Sequence, residues 1–143
     1  MYCAYCSHED TKVLESRQID DALRRRRECL ECGNRFTTYE RAFFQLQVTK
    51  KDGQEQPFEI EKLESSIRKA CSKQEQEEIS LLAKKIEQKI LLRKTNPIKT
   101  KEIGKLVLQE LRRCDKIAYL RYATVHKGID DPRILKKELQ IIA

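Results

Sequence analysis

Apolar residues recur at helical spacing through the second half of the chain and only sparsely in the first 45 residues. Residues 59–72 place Ile60, Leu63, Ile67, Ala70 and Cys71 on one face, and residues 75–92 place Ile79, Leu82, Ala83, Ile86, Ile90 and Leu91 at the i, i+3, i+4, i+7 positions. Both patterns predict amphipathic helices with one buried stripe. Asn96-Pro97 breaks the second pattern, because proline cannot continue a helix. Thr100 then reads as an N-cap for a helix over 101–113, whose stripe is Ile103, Val107 and Leu111 flanked by Leu106. The segment 115–127 carries Ile117, Ala118, Tyr119, Leu120, Tyr122, Ala123 and Val125, so it is apolar nearly all round. Such a helix is expected at the centre of a fold or at a subunit contact. Pro132 restarts a last helix that runs through Leu139.

Elsewhere the period shortens. KVLESR (12–17) and FTTY (36–39) contain strand formers, and Leu46 and Val48 alternate with polar residues before Asp52-Gly53, a tight-turn signal. The chain then returns toward Pro57-Phe58, which predicts a small hairpin. These patterns predict an α+β protein: a small β unit over 1–45 and a mainly α-helical unit with a short β-hairpin over 46–143.

Cysteine spacing supplies the first chemistry. Cys3-Ala4-Tyr5-Cys6 and Cys29-Leu30-Glu31-Cys32 are two C-x2-C knuckles separated by 22 residues. Each can place two thiolates on one ion, and together they complete the all-sulfur tetrahedron of a structural zinc, with no position left for water. One Zn²⁺ per chain is therefore expected in a zinc ribbon, where metal binding supplies folding free energy that about 45 residues cannot obtain from a core. A redox pair is the alternative for a C-x2-C motif, but no thioredoxin-like βαβ pattern surrounds either one. Gly33 suits the positive-φ turn of the second knuckle. Cys71 and Cys114 lie singly in helical patterns and read as buried hydrophobes, and His8 as a solvent-facing loop residue. No apolar run reaches the ~18 residues needed to cross a bilayer, and the N-terminus lacks a secretory pattern, so a cytoplasmic protein with reduced thiols and no membrane partner is expected.

Charge changes the picture locally more than globally. The formal net charge is +7, yet residues 1–45 hold eight basic and eight acidic residues, and the excess lies in 46–143. Four consecutive arginines, Arg24, Arg25, Arg26 and Arg27, nevertheless abut the second knuckle. Adjacent guanidiniums repel one another, a cost most easily tolerated where a polyanion lies across them, and arginine forks match phosphate and guanine edges. The row reads as a double-stranded DNA contact, with Arg17, Arg35, Thr37 and Thr38 as candidate phosphate contacts; a solvated charged loop is the alternative. Lys50 and Lys51 before Gly53, with Lys62 beyond, could hold a triphosphate, although on chemistry alone KKDG reads more readily as a solvated hairpin tip. No Ser-His-Asp set, P-loop, paired catalytic carboxylates or HExxH is present, so an enzyme is not expected.

RRRRECLECGNRFTTYE (24–40), VTKKDG (48–53), Pro57-Phe58, Glu61-Lys62-Leu63 and AYLRYATV (118–125), together with the first C-x2-C, resemble the NrdR-type bacterial transcriptional repressors of ribonucleotide reductase operons over essentially the whole chain. The resemblance implies a DNA-binding zinc ribbon followed by an ATP-cone, with ATP and dATP as regulatory ligands, a homo-oligomer, and a cytoplasmic protein that joins the nucleoid when bound to promoters. Carried over by motif, Cys3, Cys6, Cys29 and Cys32 ligate zinc, and Arg24 to Arg27 contact the operator. Val48, Lys50, Lys51 and Lys62 take nucleotide positions, with Tyr119 nearby. The chain departs from the pattern at QIDDAL, which is shorter than usual before the arginines, and at Lys51, Gln56 and His126, which stand where Arg, an acidic residue and Tyr are common. Gln56 and His126 bear on nucleotide selectivity. An alternative is a ribbon and cone that dock directly onto ribonucleotide reductase.

Overall fold

The computed structural model describes residues 1–143, which fall into two compact units, Met1–Phe44 and Gln45–Ala143. The first unit is an antiparallel meander in the order β1-β2-β3, with β1 at Thr11–Ile19, β2 at Ala22–Cys29 and β3 at Arg35–Arg41. A two-residue loop joins β1 to β2, since Ile19 pairs with Ala22, and Asp20 takes φ 49° there. Asp tolerates that left-handed conformation better than most residues. A bulge between Val13 and Glu15 interrupts the β1–β2 register.

The arginine row is thus the middle strand of a sheet, which the sequence pattern did not indicate. Four like residues show no alternation, and β2 owes its strand conformation to pairing on both sides. The interior of this unit is minimal: its fully buried apolar residues are Cys3, Ala22 and Cys29.

The second unit has a real core. Its sheet, in the order β5-β4-β6, comprises β4 (Gln47–Thr49), β5 (Glu55–Pro57) and β6 (Ile98–Lys99). The expected hairpin is β4–β5, closed by Lys50 N–H donating to the Gln54 carbonyl at 2.8 Å and by Gly53 at φ 85°. β6 lies parallel to β4. Asn96, just before it, accepts from the Gln47 N–H at 2.9 Å and donates to the Gln45 carbonyl at 3.3 Å, so the residue read as a helix breaker also ties the crossover to the sheet.

Five helices follow the expected order: α1 (Ile60–Ala70), α2 (Gln76–Leu92), α3 (Thr100–Cys114), α4 (Lys116–His126) and α5 (Pro132–Ile142). α5 extends beyond Leu139 to Ile142. Ile67, Ile86, Ile90, Val107 and Leu111 are fully enclosed. Two expectations need correction, and one pair of alternatives is narrowed. Thr100 is not the N-cap of α3: Lys99 takes that position, and the Thr100 hydroxyl donates instead to the Thr49 carbonyl at 3.0 Å, pinning the helix start to β4. The central helix is α3, which buries seven residues, whereas α4 buries Ala118, Tyr119 and Ala123 and leaves Ile117 and Val125 exposed. Cys114 is exposed at the end of α3, while Cys71 packs partly buried against the core.

Two buried carboxylates lock the helices together. Glu110 on α3 is 2% exposed, lies 2.7 Å from Lys85 and pairs also with Lys89, both on α2. Burial alone would raise its pKa, but the two ammonium groups override it and hold the carboxyl below the usual range. Glu138 on α5 is held down in the same way, against its burial, by Lys127 at 2.6 Å and by the Tyr119 hydroxyl donating at 2.8 Å. A carboxyl with a depressed native pKa stabilises the fold above the ordinary unfolded value of about 4.3, and that contribution is lost as pH falls through the native pKa. Thermal melts across this acid range should therefore show a shallower loss of stability for Glu110→Gln than for the unaltered chain; coincident acid limbs would remove Glu110 as a source of the dependence.

Candidate metal centre, basic strand and nucleotide groove

The two knuckles converge. Sγ of Cys3 lies 3.7 Å from that of Cys32, Sγ of Cys6 lies 3.6 Å from that of Cys29, and all four fall within 4.8 Å of one another. A tetrahedron with Zn–S of ~2.3 Å has S···S edges of about 3.8 Å, so the sulfurs are arranged for that ion. Both knuckles use one backbone device. Ser7 and Gly33, each four residues after the first cysteine of its pair, take φ 60° and 71° and donate their N–H groups to the carbonyls of Cys3 and Cys29. The N–H of Tyr5 donates to Cys3 Sγ at 3.3 Å and that of Cys32 to Cys29 Sγ at 3.4 Å. His8 enters through its backbone carbonyl, which accepts from the Cys3 N–H at 2.8 Å.

Ionisation of the four thiols conflicts without a cation. Burial opposes the Cys3 thiolate, but the N–H groups of Cys6 and Tyr5 and the Cys32 and Cys29 thiols stabilise it and bring its pKa down to about 6. Cys6 receives help from the His8 N–H, yet burial and the three neighbouring sulfurs push it up to about 12. A divalent ion at the centre removes this conflict by accepting all four thiolates. The site is a closed structural zinc centre.

The candidate DNA contacts spread over the sheet beside that centre. Arg17 is on β1, Arg24 to Arg27 on β2, and Arg35, Thr37 and Thr38 on β3. Several are engaged within the sheet: Arg17 pairs with Glu15, Arg35 with Glu28 at 2.8 Å, and Arg25 with Glu40 at 3.2 Å. Arg27 Nε donates to Thr38 Oγ1 at 3.1 Å and its Nη1 to Thr11 Oγ1 at 3.3 Å.

In the second unit, a cavity of about 400 Å³ is lined by Val48, Lys50, Lys51, Asp52, Gln56 and Thr100. It adjoins a cleft of about 210 Å³ that shares Val48, Gln56 and Thr100 and adds Lys62, Ser66 and Tyr122. A third space, about 520 Å³, shares Ser66 and Tyr122 and adds Lys69, Arg121 and His126. The result is one groove running from the hairpin past the first turns of α1 and α3 to α4. Cationic groups cluster at its hairpin end: Lys50 and Lys51 are exposed, and Lys62 pairs with Glu59 at 3.2 Å. The far end is aromatic, with Tyr122 and His126 stacked at 5.8 Å between centroids and 27° between planes.

The groove thus brings together Val48, Lys50, Lys51, Gln56 and Lys62, with His126 at the far end. Tyr119 does not join them: it is 5% exposed, and its hydroxyl faces Glu138 on α5. Tyr122 occupies the groove instead. Sequence reasoning passed over Tyr122, Ser66 and Thr100. Tyr122 lies one turn before His126 and Ser66 one turn after Lys62, so i, i+4 spacing could have found both.

The His126 ring rests on α3 where that helix has no side chain. A Cβ at Gly104 would stand 1.9 Å from His126 Cε1 and 2.2 Å from Nε2. Burial, followed by the fields of Lys51, Lys127 and Lys101, holds the imidazole below its usual pKa. Neutral His126 can therefore stack or accept a hydrogen bond at neutral pH.

The chain thus joins a tetrathiolate metal centre to a helical unit with a lysine-mouthed groove. Residues 46–131 match the ATP cone domain, and residues 1–40 match the family described as transcriptional repressor NrdR-like, N-terminal domain. Relatives named transcriptional repressor NrdR include one from Corynebacterium diphtheriae, 39% identical and covering 99% of this chain and 95% of its own. Those of Dehalococcoides mccartyi and Kosmotoga olearia are each 44% identical, covering 96% and 92% of this chain and 80% and 86% of their own. This chain belongs to the NrdR family of zinc-ribbon, ATP-cone transcriptional repressors. No helix is long and apolar enough to cross a membrane.

Two outcomes follow from the site geometry. Removing zinc with a strong chelator should unfold residues 1–44 and spare the helices, seen as proteolytic cleavage confined to the ribbon with far-UV helicity retained; a ribbon equally protected without metal would refute the structural role. Gly104→Ala would ordinarily stabilise a helix by about 0.8–1.0 kcal/mol. Here the added methyl collides with the imidazole, so the ring must leave its place on α3 and the His126 ring resonances should shift; unmoved resonances would contradict the packing.

Proposed function

We propose that this chain is a repressor of ribonucleotide reductase operons whose ribbon binds paired promoter sites and whose cone senses ATP against dATP. The observation that carries this reading is the joining, in one short chain, of an NrdR-like ribbon and an ATP cone, a pairing that also runs along nearly the full length of relatives named as repressors. A sensor of deoxynucleotide supply fused to a promoter-binding head is what feedback on deoxynucleotide synthesis requires.

In this reading Cys3, Cys6, Cys29 and Cys32 hold the ion that fixes the ribbon, and the basic sheet beside it meets the duplex through Arg17 and arginines of β2. Lys50, Lys51 and Lys62 neutralise the triphosphate at the hairpin end of the groove, Val48 and Gln56 line its wall, and Tyr122 and His126 receive the nucleoside. Tyr119 acts from behind, holding α5. The groove ends in a neutral imidazole and a phenol, groups able to discriminate a ribose from a deoxyribose by a hydrogen bond gained or lost.

A ligand shifts an assembly equilibrium only by binding its states with different affinity. ATP and dATP must then favour different homo-oligomers, and only one oligomer spaces its ribbons to match paired half-sites. The exposed apolar residues of α4, Ile117 and Val125, belong to the surface we assign to this rearrangement.

The test combines light scattering with binding to a reductase-operon promoter, with ATP, with dATP and with neither. Mass should differ between the nucleotides, and promoter affinity should track one mass species and fall steeply with salt. Mass and affinity identical in all three conditions would overturn the reading.

A further inference from the structure

Four consecutive arginines on a strand cannot share one surface, because successive side chains point to opposite sides of the sheet. Arg24 and Arg26 therefore project from one face of the ribbon, and Arg25 and Arg27 from the other. Register assigns their neighbours. Arg24 stands opposite Arg17 on β1 and Tyr39 on β3, and Arg26 opposite Glu15 and Thr37. On the other face Arg25 stands opposite Ser16 and Thr38, and Arg27 opposite Val13 and Phe36.

The two faces use their guanidiniums differently. Arg25 is paired with Glu40, and Arg27 donates to Thr38 and Thr11, so both are spent on joining β2 to its neighbouring strands. Arg24 and Arg26 have no ion pair or side-chain hydrogen bond within the chain. Arg17, beside Arg24, is balanced only by Glu15 next to it in the same strand. This leaves three arginines, Arg17, Arg24 and Arg26, around the single carboxylate of Glu15, a net positive cluster flanked by the 60% exposed ring of Tyr39. A polyanion relieves that repulsion on the first face and would have to break existing bonds on the second.

We propose that the ribbon meets duplex DNA with the face bearing Arg17, Arg24 and Arg26, and that Arg25 and Arg27 brace the sheet from behind. The proposal rests on the DNA-binding reading above and divides an arginine row that the sequence presents as uniform. Thr37 goes with the binding face and Thr38 with the bracing face.

The experiment compares the full chain with Arg24→Gln/Arg26→Gln and Arg25→Gln/Arg27→Gln, each loaded with zinc. Affinity for a reductase-operon duplex is measured over a salt series, alongside zinc content and thermal melting. Loss of two phosphate contacts should make the log–log salt slope of the first variant shallower by about 2 and weaken binding on the order of 100-fold, with zinc and melting unchanged. The second variant should melt earlier but keep the slope of the unaltered chain. If the second variant loses zinc, Arg25→Gln alone replaces it, since that change breaks only a surface ion pair; its slope should equal that of the unaltered chain. A slope flattened equally by both variants, or by the second alone, overturns the face assignment. Absence of salt-dependent binding by the unaltered chain instead overturns the DNA reading, and this proposal with it.

Discussion

Four cysteine sulfurs converging within bonding distance of one ion are the constraint on which the N-terminal unit depends. Its buried apolar residues are Cys3, Ala22 and Cys29, and two of those three are themselves ligands. Hydrophobic burial at roughly 25 cal/mol per Å² cannot order 44 residues from so small a source. Thiolate–metal bonds provide the ordering free energy, and the sheet is then free to carry charge where other sheets of its size carry core. A strand with four arginines at its centre is tolerable because the metal, and not a packed apolar core, supplies most of the ribbon's stability.

The helical unit solves the opposite problem. Its core is ample, and charge enters it in two places, Glu110, matched to Lys85 and Lys89 on α2, and Glu138, matched to Lys127 at the C-cap of α4. Such pairs fix which helices meet more than they add stability, since the desolvation of a buried carboxylate offsets much of the attraction. The firmly packed α3 then serves as a floor: Thr100 ties its start to β4, and Gly104 leaves room for the His126 ring. The groove is a space between elements held by those contacts.

The legible parts of the sequence were those with a period or a spacing. Apolar patterns placed α1, α2, α3 and α4 to within a few residues, Pro132 marked the start of α5, Asp52-Gly53 marked the hairpin, and the two C-x2-C pairs marked the metal centre. Features decided by tertiary contacts were not legible. β2 lacks any strand pattern of its own and is a strand because β1 and β3 pair with it. β6 is two residues long and exists through its parallel pairing with β4. The all-round apolar character of α4 left open a central helix or one at a subunit contact; the hydrophobic count does not say which neighbours are available, and α3 took the centre. Tyr119 and Tyr122 are the sharpest case. Both are tyrosines in AYLRYATV, three residues apart, and only the phase of the helix sends one toward Glu138 and the other into the groove.

That phase gives α4 its place in the protein's logic. One side of the helix presents Tyr122 and His126 to the groove; another presents Tyr119 and Lys127 to Glu138 on α5. Both α4 and α5 leave large apolar side chains exposed, Ile117 and Val125 on the first, Ile134, Leu139 and Ile141 on the second. In the proposed function, a ligand that draws on Tyr122 and His126 acts on the helix that also contacts α5 through Glu138 and carries Ile117 and Val125. No long chain of intermediaries is needed. The coupling free energy required for a tenfold preference between assembly states is about 1.4 kcal/mol, within the reach of one hydrogen bond made in one state and missing in the other. In the proposed repressor, the 11-residue helix α4 is the element that both the groove and the exposed apolar surface share.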